Sequence, residues 1–287
     1  MKQLLSNLTK IFQIDLDASI NSGQVFLWKK INSKWYGIDG NNVLVLDDNS
    51  ELYMNEKKTF NFFRLDDNFE KISYELKKDQ IVRQAIELNP NLRLLRQDPF
   101  QCYISFIASS NSNIPNIKLR LNNLCKKFGQ KITIGNVDFF LFPEPNVLAK
   151  ASIKDIQKCG LGYRSKSVKD ASLSVINGEI DFEELKKTDY YNAKRELTKI
   201  SGIGNKVADC IMLFSLEKLE AFPLDRWMLR VLQKYYTEKF QISTKTITEK
   251  THKELHDLIV QYFGCNAGYA QQFLFKMERE LYKKKWS

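Results

Sequence analysis

No two of the five cysteines, at positions 102, 125, 159, 210 and 265, form a CxxC pair. Their odd number and scattered spacing exclude a disulfide framework and a zinc site of the usual kind. No apolar run is long enough to span a bilayer. The opening stretch MKQLLSNLTKIFQIDL lacks the apolar core and small-residue cleavage site of a secretory signal, so an intracellular protein is expected. There is also no internal repeat, low-complexity tract or long linker. One compact unit is expected.

What is present describes a globular chain with a taste for polyanions. Apolar residues make up 43% and aromatic residues 12% of the 287 positions, enough for a sizeable core. The formal charge of +10 favours nucleic acid or an anionic membrane surface as partner. No long cationic amphipathic helix supports the membrane.

Runs rich in β-branched and aromatic residues predict antiparallel strands over Val25–Trp28, Lys34–Ile38 and Val43–Leu46. Asp39-Gly40-Asn41-Asn42 supplies the hairpin turn between the last two. From about residue 66 the periodicity becomes helical, and Phe69–Leu88 reads as helix. Asp98-Pro99 opens another helix, and residues 181–200 read as two short ones. In the predicted helix Asn266–Tyr282, Tyr269, Phe273, Met277 and Leu281 share one stripe, while Gln271 and Phe275 share a different face. The expectation is an α+β chain, with a small antiparallel β subdomain and its trailing helix over 1–95 and a mostly α-helical region over 96–287.

The stretch with most chemistry runs from Thr198 to Tyr236. Ser201-Gly202-Ile203-Gly204 reads as a tight hairpin, where glycines allow positive φ and close approach of another molecule. The helix predicted from about Asn205 to Leu216 aims free N–H groups and a positive dipole end at that hairpin, which suits a phosphate. Lys206 lies in its first turn, where the dipole disfavours a cation and partial burial would favour a neutral amine nucleophile. Cys210 follows one turn later on the same face. Asp225, after Phe222-Pro223-Leu224, stands at the N-cap of the helix predicted over Arg226–Tyr236. Singly, Lys206 reads first as a surface cation and Asp225 as a helix cap; jointly they form a far more specific pattern.

That pattern, Gly202-Ile203-Gly204-Asn205-Lys206-Val207-Ala208-Asp209-Cys210 with Pro223-Leu224-Asp225, resembles the helix–hairpin–helix DNA glycosylases and, within them, the 8-oxoguanine DNA glycosylases. Further segments resemble that family in its own order: NSGQVFLW at residues 21–28, LLRQDP at 94–99, SFIASSNSNI at 105–114, GLGYR at 160–164 and NAGYAQQFLF at 266–275. The resemblance implies a bifunctional glycosylase and lyase acting on damaged double-stranded DNA as a monomer, with neither redox cofactor nor catalytic metal. Lys206 would be the nucleophile and Asp225 its electrostatic partner. The extruded base would lie between Cys210 and Phe275, with Pro223 beside it and Gln271 on its Watson–Crick edge. The Gly23 carbonyl would accept from N7–H of the lesion, where guanine carries a repelling lone pair. Asn111 and Arg164 would meet the base left unpaired, Tyr163 would wedge into the duplex, and Gly202 and Gly204 would take a phosphate. Carbonyls of Thr198, Ile200 and Ile203 would hold a structural cation at the hairpin.

Three features bear on that resemblance. The close C-terminal cysteine cluster of the iron–sulfur glycosylases is missing, which argues against the endonuclease III branch. Asn116 stands where familiar members carry an arginine that helps read the opposite cytosine, which leaves strict cytosine selectivity open. Trp227 replaces a histidine near the DNA. The nearest rival is an alkylbase glycosylase of the same fold, a group that generally lacks the lysine. A non-catalytic hairpin scaffold would need no Lys206–Asp225 pair.

Overall fold

The computed structural model describes residues 12–47, 51–52, 57–240 and 248–286. The stretch 1–11, which covers most of the segment read for a secretion signal, lies outside the described residues. The N-terminal part is a three-stranded antiparallel meander of Trp28–Ile31, Lys34–Asp39 and Asn42–Asp47, flanked by a short pairing of Phe12–Gln13 with Glu51–Leu52. Asp39 pairs with Asn42, so the turn falls where the sequence signalled it.

The first strand does not. It begins at Trp28, and Val25–Leu27 runs in irregular structure just before it. The reason is burial on both sides: Val25 packs with Ile14, Ile20 and Trp35, whereas Phe26 and Leu27 enter the larger helical core. A continuous apolar run of this kind has no period with which to mark a strand edge. A second correction concerns Phe69–Leu88, which is two helices, Phe69–Leu76 and Gln80–Leu88. Asp79 divides them by capping the second, its Oδ1 accepting from the N–H groups of Ile81 at 2.9 Å and Val82 at 2.8 Å.

From Pro99 onward the chain is mostly helical. The helices Pro99–Ser109, Ile114–Phe128, Arg164–Ile176, Tyr190–Thr198, Asn205–Ser215, Arg226–Tyr235, Glu249–Phe263 and Ala267–Trp286 surround the main core. The sequence reading had not marked Glu249–Phe263 or the hairpin of Lys131–Ile134 with Val137–Phe140. Among the described residues no helix is long and apolar enough to cross a membrane.

Polar side chains fasten the β part to the helical body. Gln101, near the start of the helix Pro99–Ser109, accepts from Gly40 N–H at 2.8 Å and donates to the Ile38 carbonyl at 2.7 Å. Gln24 is wholly buried, donates to the Arg93 carbonyl at 2.9 Å and accepts from Leu95 N–H at 2.9 Å. Gln97 in turn donates to the Gln24 carbonyl at 2.9 Å, and Gln272 to the Ser22 carbonyl at 3.2 Å. Gly23 is therefore held from both flanks against the C-terminal helix.

Candidate active site

The hairpin follows from one glycine. Gly202 has φ of +91°, and a Cβ there would stand 2.6 Å from Ser167 Oγ, so both conformation and space require glycine. Gly204 does not use that freedom: its φ is −95°. As the N-cap of Asn205–Ser215 it offers no capping side chain, and nothing lies within 4 Å of where its Cβ would be. The first N–H groups of the helix thus face an open surface suited to an anion. In the hairpin the Ile200 carbonyl accepts from Ile203 N–H at 3.1 Å.

Lys206 is half-buried, with Nζ 5.3 Å from the centre of the Phe106 ring. Among the described residues no carboxylate lies within ion-pairing distance of it. Cys210, one turn along, is buried, and burial pushes its thiol up to about 12 against the opposing pull of Lys206. It is a neutral, polarisable surface and not a thiolate. Asp225 caps Arg226–Tyr235, one oxygen accepting from the N–H groups of Trp227 and Met228 at 2.9 Å each. Among the described residues nothing engages its other oxygen. Lys206 and Asp225 line one groove of about 1050 Å³ with Ser109–Asn113, Asn116, Gly202, Gly204 and Trp227. Two helix starts distant in sequence converge here.

Two residues before Asp225, the Pro223 carbonyl accepts from Gln271 at 3.5 Å, and Gln271 is 4% exposed. Its Oε1 has no hydrogen-bond partner among the described residues. A buried amide oxygen left empty costs about 1–3 kcal/mol unless something arrives to satisfy it. Phe275, one turn on, meets Gly23: a Cβ on that glycine, whose φ is +91°, would lie 3.2 Å from Phe275 Cε1. Arg279, a further turn on, completes this wall, beside a second cavity of about 710 Å³ that includes Gly23, Ile114, Lys118 and Lys276. Sequence reading passed over Arg279, although it extends the four-residue spacing of Gln271 and Phe275.

On the rim, Asn111 is exposed with φ of +47°, and Tyr163 projects into solvent at 68% exposure. A tyrosine so exposed at the tip of a glycine turn is available to another molecule. Arg164 points inward instead. It is 6% exposed, stacks against Tyr163 with its guanidinium carbon 4.3 Å from the ring centre, and donates to the carbonyls of Ser110 and Asn111. Arg120, also passed over, bridges the two loops by donating to Ser112 Oγ at 2.7 Å and to the Gly160 carbonyl at 3.0 Å. A basic residue in the middle of the helix Ile114–Phe128 carries no sequence sign of that role.

The helix carrying Lys206 is anchored from the rear. Asp209 is fully buried and accepts from Tyr190 Oη at 2.7 Å and Lys194 Nζ at 2.9 Å, while His252 Nε2 lies 3.3 Å from its other oxygen. Burial works against its charge, yet His252 and Lys194 outweigh it and hold the carboxyl below its usual range. Among the described residues no group of three or more His, Cys, Asp or Glu is placed to hold a metal ion.

The family profile described as 8-oxoguanine DNA glycosylase, N-terminal domain, matches residues 7–103, and that described as HhH-GPD superfamily base excision DNA repair protein matches residues 104–257. A probable N-glycosylase/DNA lyase of Methanothermobacter thermautotrophicus is 30% identical over 72% of this chain and 69% of its own length. The N-glycosylase/DNA lyase OGG1 of Arabidopsis thaliana is 32% identical over 65% of this chain, which spans 52% of that relative. In structure, the chain is similar to Clostridium acetobutylicum 8-oxoguanine glycosylase/lyase, solved in complex with double-stranded DNA containing cytosine opposite 8-oxoguanine. The TM-score is 0.85 at 31% identity, covering 94% of this chain and 93% of that one.

Proposed function

Because this chain belongs to the HhH-GPD superfamily of base excision DNA repair proteins, we propose that it excises 8-oxoguanine from duplex DNA and then cleaves the strand, as a bifunctional glycosylase and lyase. The observation that carries the reading is the convergence of Lys206 and Asp225 on one groove, supported by Gln271 at the Pro223 carbonyl, two residues before Asp225, and by Phe275 against Gly23.

The chemistry follows from those groups. The target nucleotide leaves the stack, and its base passes between the Cys210 sulfur and the Phe275 ring. Gln271 Oε1 accepts from the Watson–Crick edge, and the Gly23 carbonyl accepts from N7–H. Lys206, as a neutral amine, forms a bond to C1′ while the N-glycosidic bond breaks and its electron pair departs with the base. Asp225 stabilises the positive charge developing on the sugar and receives no bond itself. Ring opening gives a protonated Schiff base, which acidifies the C2′ proton. Loss of that proton expels the 3′ phosphate, and water then releases Lys206.

Gly202, Gly204 and the N-terminal amides of Asn205–Ser215 would grip a backbone phosphate, with a structural cation on the carbonyls of Thr198, Ile200 and Ile203. Tyr163 would enter the duplex, and Asn111 and Arg164 would face the unpaired base. For Arg164 to do so, its bonds to the Ser110 and Asn111 carbonyls must exchange for bonds to the base. With Asn116 in place of an arginine, fewer charged donors face the opposite base, and weak preference among the four is expected.

The test is borohydride trapping on duplexes with 8-oxoguanine opposite each of the four bases, beside an undamaged duplex. The wild type should give a covalent band with the lesion only. Lys206→Gln should give none while still binding the damaged duplex. Equal trapping by the variant would remove Lys206 as nucleophile, and absence of both trapping and free base would sink the activity.

A further inference from the structure

Gln271, Phe275 and Arg279 stand at successive four-residue steps of the helix Ala267–Trp286, on one stripe. The function above uses the first two and leaves Arg279 without a task. Its Nη1 lies 3.3 Å from where a Cβ on Gly23 would sit, and its guanidinium carbon lies 5.3 Å from the centre of the Phe275 ring. Lys276 in the same cavity is paired with Glu280 at 3.0 Å, and Lys118 meets Asn21 Oδ1 at 3.5 Å. Among the described residues Arg279 has no hydrogen-bond acceptor and no ion pair. Burial lowers its pKa, with Asp225 acting in the opposite sense. A half-buried fork of five donors without an acceptor is unfavourable, and an acceptor brought by the substrate would relieve it.

We propose that Arg279 is a specificity-determining residue that donates to the C8 carbonyl oxygen of the extruded 8-oxopurine while the Gly23 carbonyl accepts from the adjacent N7–H. The proposal rests on the functional reading above. The lesion carries a donor and an acceptor side by side on its five-membered ring. Gly23 and Arg279, which are neighbours here, would supply an acceptor and a donor to match. Undamaged guanine offers a lone pair to the Gly23 carbonyl and a C8–H to the guanidinium, so it satisfies neither. A guanidinium could equally take a phosphate. Its position against the stacking ring and the Gly23 backbone favours the base.

Arg279→Leu and Arg279→Lys, assayed beside wild type under single turnover on an 8-oxoguanine duplex and on an abasic duplex of the same sequence, decide it. Arg279→Leu should slow base excision about ten- to a hundredfold, the worth of one charge-assisted hydrogen bond, and leave abasic cleavage unchanged. Unchanged abasic cleavage also shows the variant to be folded. Arg279→Lys should recover part of the loss. An equal loss on both duplexes would make Arg279 a backbone contact and overturn the proposal, as would no loss on either. A wild type that cuts the abasic duplex but releases no 8-oxoguanine would overturn the functional reading, and this proposal with it.

Discussion

At Gly23 a methyl group would meet Phe275 Cε1 at 3.2 Å and Arg279 Nη1 at 3.3 Å, on a backbone whose φ of +91° L-residues rarely adopt. Gly23→Ala is therefore expected to destabilise the protein by about 1 kcal/mol or more and to turn the carbonyl away from its partner. Discrimination of 8-oxoguanine from guanine, measured as the ratio of excision rates from matched duplexes, should fall at least about tenfold, one hydrogen bond's worth. An unaltered ratio would take Gly23 out of lesion recognition. The helix starts that carry Lys206 and Asp225 were legible in the sequence because glycine turns and caps are local signals, whereas Gln271 and Phe275, a four-residue step apart, were singled out only by the family resemblance. Arg279 sits at such a step too, but an arginine late in a helix reads as solvated surface. That no acceptor among the described residues meets it is a fact of packing.

At the scale of elements, the β meander meets the helical body at half-buried Asp39 as well as at Gln101. Asp39 Oδ1 accepts from Asp98 N–H at 2.7 Å. Burial pushes the Asp39 carboxyl up to about 7, with nearby Asp98 acting in the same direction. The folded state keeps this proton at pH values where the unfolded chain has lost it, so the Asp39 contribution to stability is greatest below the ordinary carboxylate range and falls as pH rises through about 7. Between pH 6 and 8 the group should remove about 1 kcal/mol. Asp39→Asn should abolish that slope, and urea midpoints of both proteins at the two pH values would check it. An identical slope in the variant would assign the pH dependence elsewhere. The turn itself was legible from Asp39-Gly40-Asn41-Asn42. That the turn docks on Gln101 and Asp98 was not, because those partners lie about sixty residues away.

Across the whole molecule, Glu217 joins regions far apart in sequence. Arg64 is 1% exposed and donates to both Glu217 oxygens at 2.9 and 3.0 Å, and Arg96 Nε adds a third bond at 2.9 Å. Burial opposes the Glu217 charge, but Arg64 and Arg96 prevail and lower its pKa. Its stabilisation is complete above the unfolded value near 4.5 and fades as acid protonates the folded carboxyl. Glu217→Gln takes countercharge from the buried Arg64 guanidinium, but Glu217 is itself 37% exposed and Asp67 stays 3.8 Å from Arg64, so the change should cost about 1 kcal/mol at pH 7. The loss should shrink at acid pH, where the wild type has forfeited the same charge. Thermal unfolding of both proteins across that range would show it, and a pH-independent difference would count against the assignment.

By itself the sequence determined the helix periods, the caps at Asp98 and Asp225, the glycine hairpin and the family to which they belong. All of these depend on residues within a few positions of one another, where backbone sterics and side-chain spacing act directly. The tertiary structure alone decided what converges: Lys206 with Asp225 across a groove, Gly23 with Phe275 and Arg279, Asp209 with Lys194 and His252 behind the helix Asn205–Ser215. It also decided that Val25–Leu27 is shared between two cores and that Arg164 turns inward to the Ser110 carbonyl. Such contacts are set by how helices pack to exclude water and satisfy buried polar groups, a balance summed over the whole chain and written in no single stretch of it.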